Sequence, residues 1–264
     1  MAQLSRFASC LAVHWYLQFR EVLQGKRKRF VDSLKKSMLR YLPWLHKHIR
    51  PERPHGIEGI QALGHREYVG GLWEELGQLQ FDFLIEKGLA PHHYLLDIAC
   101  GSLRAGVHFI RYLEPGHYMG IDKEAELIHA GLEHELGQEI RARKKPQFLV
   151  SASFEFEKFT ARPDYALAQS LFTHLPPHLI QQCFRKLKKV IADEGVFYAT
   201  FFEGERSRPN PRHPHDQARF VYNRQEIEAF GVENGWTSNY IGDWQHPRKQ
   251  VIVEYGPLLR PGWR

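Results

Sequence analysis

The sequence predicts an α/β fold, with helices on both faces of a mainly parallel sheet and a helical extension ahead of it. Three observations carry that prediction. The first is the stretch Tyr94-Leu95-Leu96-Asp97-Ile98-Ala99-Cys100-Gly101-Ser102-Leu103-Arg104-Ala105-Gly106. An apolar run ends in a carboxylate, passes through a tight Gly/Ser turn and picks up helical spacing at Leu103, Val107 and Ile110, so it reads as strand, turn, helix. The second is His117-Tyr118-Met119-Gly120-Ile121-Asp122, another apolar run closed by an acid, one strand-helix-strand unit further on. The third is the continuation of the pattern: strand-like Gln147–Val150, Asp164–Ser170 and Val196–Glu203 alternate with helical stretches.

The turn after Asp97 indicates the kind of ligand. Gly101 lets backbone approach a bound group, and free N–H groups at a helix start attract negative charge, with Ser102 as the expected N-cap. No Lys-Ser or Lys-Thr follows Gly106, which argues against a P-loop, and the spacing is not G-x-G-x-x-G, which argues against the dinucleotide fingerprint. What remains is an acid at one strand tip, a small-residue turn, and an acid at the next tip.

In these residues the sequence resembles the class I S-adenosylmethionine-dependent methyltransferases, over roughly residues 65 to 255. The family's first motif is commonly acid-x-Gly-x-Gly-x-Gly; this chain has Asp97-x-Ala99-x-Gly101-x-Leu103. Accommodating Leu103 requires that position to be helical already, with Ser102 capping and Gly106 giving close packing one turn later. The resemblance implies a Rossmann-like, seven-stranded sheet and S-adenosylmethionine as cofactor. It assigns Asp97, Ala99 and Gly101 to the turn, with Asp97 facing the cofactor's amino group. Ser102 and Arg104 would meet its carboxylate, and Asp122, with Lys123 beside it, would take the ribose hydroxyls. Ser153 and Phe154 stand where relatives often place an acid for adenine. Gln169 and Ser170 follow the fourth strand. A helix before the first strand closes over the cofactor in related enzymes, so Tyr68 and Gln80 are expected to line the pocket, while Trp73 is read as core packing.

Composition limits the rest. The chain has 264 residues, is 43% hydrophobic and carries a net charge of +6, enough for one α/β domain and an appendage. Cys10, Cys100 and Cys183 lie far apart, so neither a disulfide framework nor a zinc site is expected, and a reducing, cytoplasmic setting fits. Residues 1–55 hold twelve Lys/Arg and three Asp/Glu, a net +9, which leaves −3 for residues 56–264. That slightly acidic domain weighs against a nucleic-acid groove, as does the lack of an Asn/Asp-Pro-Pro-aromatic motif.

The extension, residues 1–55, reads as amphipathic helices: Leu4, Phe7, Leu11, Trp15, Phe19 and Val22, then Phe30, Leu34, Met38 and Leu42 after the basic run Lys26-Arg27-Lys28-Arg29. His14 interrupts the apolar core, so it is not a signal peptide, and the run is too short to span a bilayer. A cap packed on the domain with a solvated charged face is favoured over a helix resting on an anionic membrane surface.

Between Glu203 and Asn223 lies an insertion, 203–223, rich in Pro, Arg and His, where this fold usually builds its substrate cover. Its His213-Pro214-His215-Asp216 does not make a metal site, and no metal is expected. Beyond Arg224–Gly235, read as a helix, Ser238–Asp243 and Gln250–Tyr255 read as a closing hairpin. For a general base, His174 is first choice, because imidazole titrates near neutrality and Gln169–His174 falls at the carboxyl edge of the sheet. His246, Glu203 and His215 follow it. The expected function is methyl transfer to a hydroxyl or amine of a small-molecule or glycan acceptor. The alternative is a noncatalytic adaptor of the same fold that binds partners or an anionic surface through its basic N-terminal helices.

Overall fold

The computed structural model describes residues 55–258, apart from 207, 208 and 217. The expected amphipathic extension therefore lies outside the described residues. The remainder falls in one unit that begins at Pro54.

Three helices precede the sheet: α1 (Gly56–Leu63), α2 (His65–Tyr68) and α3 (Trp73–Glu86). Then come β1 (Leu95–Ile98), α4 (Gly106–Tyr112), β2 (Tyr118–Asp122) and α5 (Ala125–Ala130), which runs into a π-helical segment, Gly131–Leu136, and α6 (Gln138–Lys144). After β3 (Gln147–Val150) and β4 (Tyr165–Ala168) follow α7 (Pro177–Leu187), β5 (Val196–Glu203), β6 (Val221–Tyr222), α8 (Arg224–Val232), β7 (Trp236–Asp243) and β8 (Val251–Pro257).

The sheet order is β3-β2-β1-β4-β5-β8-β7. The first five strands are parallel, β8 runs antiparallel to β5, and β7 returns antiparallel to β8. These are the seven strands expected. The sequence reading missed β6, two residues that pair in parallel with Phe202 and Glu203 at the end of β5. Chain order reverses between β1 and β4, so a crevice opens outside the carboxyl ends of these strands, beside Asp97 and Asp122.

Side chains alternate across the strands as the pleat requires. Leu96, Ile98, Ala166, Ala168, Phe197, Ala199 and Phe201 enter the core on one face, with Phe184 of α7 and Trp236. Leu95, Leu167 and Tyr198 enter the other, with Phe83 of α3 and Phe109 of α4. Strands buried on both faces read as near-continuous apolar runs, which is why they were visible in the sequence. Helix α7 has Pro at its first position and buries Ile180, Phe184 and Leu187, as the spacing predicted. Helix α8 starts with a capping box between Asn223 and Glu226.

The structure corrects the turn after β1. Helix α4 begins at Gly106, not at Ser102, and its N-cap is Ala105 with no side-chain cap bond. Leu103 is not helical: its φ is +67°. Ser102 is buried and its hydroxyl reaches back to the His65 carbonyl at 3.4 Å. The reason is spatial. A Cβ on Gly131 would stand 2.6 Å from the Ser102 carbonyl oxygen, and one on Gly106 2.6 Å from the Tyr118 hydroxyl, so neighbouring elements close onto the turn.

Candidate active site

Asp122 ends β2 with its carboxylate 8% exposed. One oxygen accepts the Gly101 N–H at 2.8 Å, the other the Glu124 N–H at 2.9 Å. Burial raises its pKa against the pull of these two bonds. It has no ion-pair partner among the described residues, so its remaining lone pairs suit neutral donors such as a vicinal diol. Asp97 of β1 is also buried and accepts the Tyr118 hydroxyl at 2.8 Å. Burial pushes Asp97 up to about 6 despite that bond.

The loop joining these acids has the geometry of a glycine-rich turn without its glycines. Ala99, Gly101 and Leu103 all have positive φ, at +63°, +55° and +67°. A Cβ on Gly101 would stand 3.1 Å from Val69, so glycine is needed there for the close approach as well as for φ.

Above this turn sits the Val69-Gly70-Gly71 loop between α2 and α3. The Arg104 guanidinium donates to the Val69 carbonyl at 3.2 Å, the Gly71 carbonyl at 2.9 Å and Gln169 Oε1 at 3.0 Å. Arg248, from the loop between β7 and β8, donates to the Gly70 carbonyl. Arg104 is thus committed to three acceptors, and only its buried Nε lacks one. Burial and the neighbouring Arg248 charge lower its pKa to about 10.

Gln169 carries the network onward. With Oε1 accepting from Arg104, its NH2 donates to Ser170 Oγ at 2.8 Å and lies 3.0 Å from His246 Nε2. The other ring nitrogen of His246 accepts the Arg248 N–H at 3.1 Å. His246 is fully buried, and burial with the Arg104 and Arg248 charges lowers its pKa to about 4. Both ring nitrogens thus face protein groups in the interior, and neither is presented to an acceptor at the surface. The Ser170 N–H donates to Thr200 Oγ1 at 2.7 Å, and that hydroxyl donates to Gln250 Oε1 at 2.7 Å.

The other expected residues are engaged away from this network. Lys123 pairs with Asp216 of the insertion at 2.8 Å, and Asp216 also accepts the Tyr68 hydroxyl at 3.4 Å. Lys123 is therefore turned to the insertion. Gln80 donates to the Leu76 carbonyl in its own helix at 2.7 Å, so its amide is spent within α3. Ser153 is exposed, and its N–H meets Ser151 Oγ at 3.1 Å. Phe154 packs against Phe156 in the core, with 8% of its surface exposed. His174 Nδ1 donates to the His215 carbonyl at 3.2 Å, and burial lowers its pKa. His215 accepts the Ala218 N–H, and Glu203 accepts the Tyr240 hydroxyl. Both are engaged in holding local structure.

The sequence reading missed Tyr118, Arg248, Thr200 and the Val69–Gly71 loop. The Gly70-Gly71 pair ahead of a helix was a signal for a tight loop; nothing in the sequence marks Arg248.

Residues 96–197 match the sequence model of the family described as "Methyltransferase domain". Those residues carry a methyltransferase domain. Its fold is shared with magnesium protoporphyrin IX methyltransferase from Synechocystis PCC 6803, solved with bound SAM, at 14% identity and a TM-score of 0.52, over 73% of this chain and 88% of that one. It is shared likewise with the DhpI–SAH complex, at 14% identity and 0.55 over 74% and 92%, and with the glycopeptide N-methyltransferase MtfA, at 15% and 0.52 over 69% and 90%. Among the described residues of this methyltransferase domain, no helix is long and apolar enough to cross a membrane.

The site fits the cofactor on three observations: the cation-free buried carboxylate of Asp122, the close backbone approach at Gly101, and the orphaned donor on Arg104.

Proposed function

We propose that this methyltransferase acts on a hydroxyl or amine of a small-molecule or glycan acceptor. The carrying observation is Asp122: a buried carboxylate, fixed by two backbone N–H groups and lacking a cation, is prepared for the two ribose hydroxyls of S-adenosylmethionine. When bound, that cofactor supplies an electrophilic methyl group on a sulfonium. The protein then has to hold nucleophile, methyl carbon and sulfur in line, exclude water, and take a proton from the acceptor.

Asp97 faces the cofactor's ammonium, and ionisation above its raised pKa gives it the charge to do so. Arg104 acts chiefly through position: it fastens the Val69–Gly71 loop over the turn, leaving Nε–H for the cofactor carboxylate. Ser153 and the exposed edge of Phe154 meet adenine, while Ser170 closes the floor beside Gln169. His174 is the base of this proposal, because burial lowers its pKa and so favours the neutral ring, which carries one lone pair.

Calorimetric titration with S-adenosylmethionine and S-adenosylhomocysteine tests the cofactor assignment. One saturable site is expected in the natural protein. Asp122→Ala should abolish it, and Asp122→Asn should weaken it by about tenfold or more, the cost of losing a hydrogen bond to a charged group. Equal binding by folded Asp122→Ala would overturn the assignment. His174→Ala should lower kcat and leave cofactor affinity unchanged; full turnover would remove His174 as base.

A further inference from the structure

The insertion after β5 borders an open cavity of about 250 Å³ between Glu205, Arg206, Pro209, Asn210, Arg219 and Val221. It opens at the carboxyl end of β5, on the same edge of the sheet as Asp97 and Asp122, where an acceptor must approach. Its walls are fixed. Asn210 pairs through its side chain with both the N–H and the carbonyl of Val221, at 3.0 and 2.9 Å, as a neighbouring strand would. Arg206 is neutralised by Glu226 at 2.5 and 2.8 Å and also donates to the Val221 carbonyl.

Arg219 differs. Its guanidinium lies 3.9 Å from the centre of the Phe202 ring, yet no carboxylate stands within ion-pairing distance among the described residues. A guanidinium laid on an aromatic face is held in place while its N–H groups stay available, and their fork matches a carboxylate or phosphate. Glu205 on the same wall repels a second anion and offers an acceptor to a neighbouring hydroxyl or ammonium.

We propose that this cavity seats the acceptor's anionic group, a carboxylate or phosphate flanked by a hydrogen-bond donor, with Arg219 as the residue that selects it. The assignment deepens the methyl-transfer reading and rests on it: Arg219 binds and positions the acceptor and takes no part in the chemistry.

The test is an NMR titration of the arginine Nε–H resonances of S-adenosylhomocysteine-saturated protein with inorganic phosphate and, separately, succinate. Both anions should saturate at millimolar concentration and shift the Arg219 resonance. Arg219→Gln should weaken binding by about tenfold or more, Arg219→Lys should retain part of it, and Arg224→Gln, an exposed arginine on Tyr240 outside the cavity, should leave it unchanged. S-adenosylhomocysteine affinity should be the same in all four proteins. Undiminished anion binding in Arg219→Gln, equal loss in Arg224→Gln, absence of saturation, or competition between phosphate and S-adenosylhomocysteine would each overturn the proposal. If Arg219→Gln does not fold, Arg219→Lys decides by the same criterion. Failure of S-adenosylhomocysteine to bind, with saturable phosphate binding intact, would count against the cofactor assignment and leave the anion seat standing.

Discussion

Ala99 and Leu103 occupy backbone conformations in which a side chain is strained, at φ of +63° and +67°, and each costs about 1–2 kcal/mol relative to an ordinary conformation. Such strain persists only where the surroundings over-determine it. Here Leu103 is fully buried in the core against Gly106 of α4 and Gly131 of the π-helical segment, so its burial offsets the cost. Ala99 has little to gain from its methyl group, and Ala99→Gly should raise stability by about 0.5–1 kcal/mol, measured as a shift in urea midpoint. The departure from acid-x-Gly-x-Gly-x-Gly was plain in the sequence, yet its resolution was not. A buried leucine satisfies the apolar pattern equally as the first helical residue or as a left-handed turn residue, and spacing alone does not separate the two. Titration acts at the same scale. Asp97 has its folded pKa raised to about 6, so its contribution to stability declines as pH rises from about 4 to 6. His246 has its folded pKa lowered to about 4, so its contribution is lost as pH falls from about 6.5 to 4. The two oppose one another in the same window, each by about 3 kcal/mol. Asp97→Asn should therefore expose a stability that falls steeply with acid, and His246→Gln one that falls with base; denaturant midpoints from pH 4 to 8 read both.

At the scale of elements, the insertion is tied back to the sheet edge by short local bonds. The His215 N–H meets the His174 carbonyl at 3.1 Å, the Phe220 N–H meets the Thr173 carbonyl at 3.0 Å, and Asp216 reaches Lys123. The ion pair is partly exposed and contributes under about 1 kcal/mol to global stability. Its effect should be local: Asp216→Asn is expected to speed amide hydrogen exchange across residues 209–220 and leave the thermal midpoint unmoved within about 2 °C. The composition of this segment marked it as a loop, but its partners come from Lys123 and Tyr68, far away in sequence, and no local pattern announces such contacts. On the opposite side, Glu135 in the π-helical segment holds both His65 and Arg66 of α2, at 2.6 Å and 2.6–2.7 Å. That anchor too was invisible to periodicity, since a π turn inside a helical run shifts which residues face inward.

For the whole molecule, the alternation of strand and helix was legible because buried parallel strands leave long apolar runs and helices leave a three-to-four spacing. Topology followed from the handedness and order such units allow. The packing behind β5 was less so: Phe184, Phe197, Trp236 and Tyr255 meet with ring centres 4.7–6.0 Å apart. These residues come from four elements, and Phe184→Ala should cost about 3–5 kcal/mol in chemical denaturation. The site itself is assembled from still more distant parts. The loop at residues 69–71 has two of its carbonyls held by Arg104 and the third by Arg248, which lies 178 residues further along the chain from Gly70. Closing so long a loop carries an entropic cost, one that grows only slowly with its length. During synthesis, then, the five parallel strands and their first turn emerge while the loop above them still lacks its final clasp. That clasp needs Arg248, which lies between β7 and β8, so the wall of the candidate site is completed by a part of the chain made after all five parallel strands.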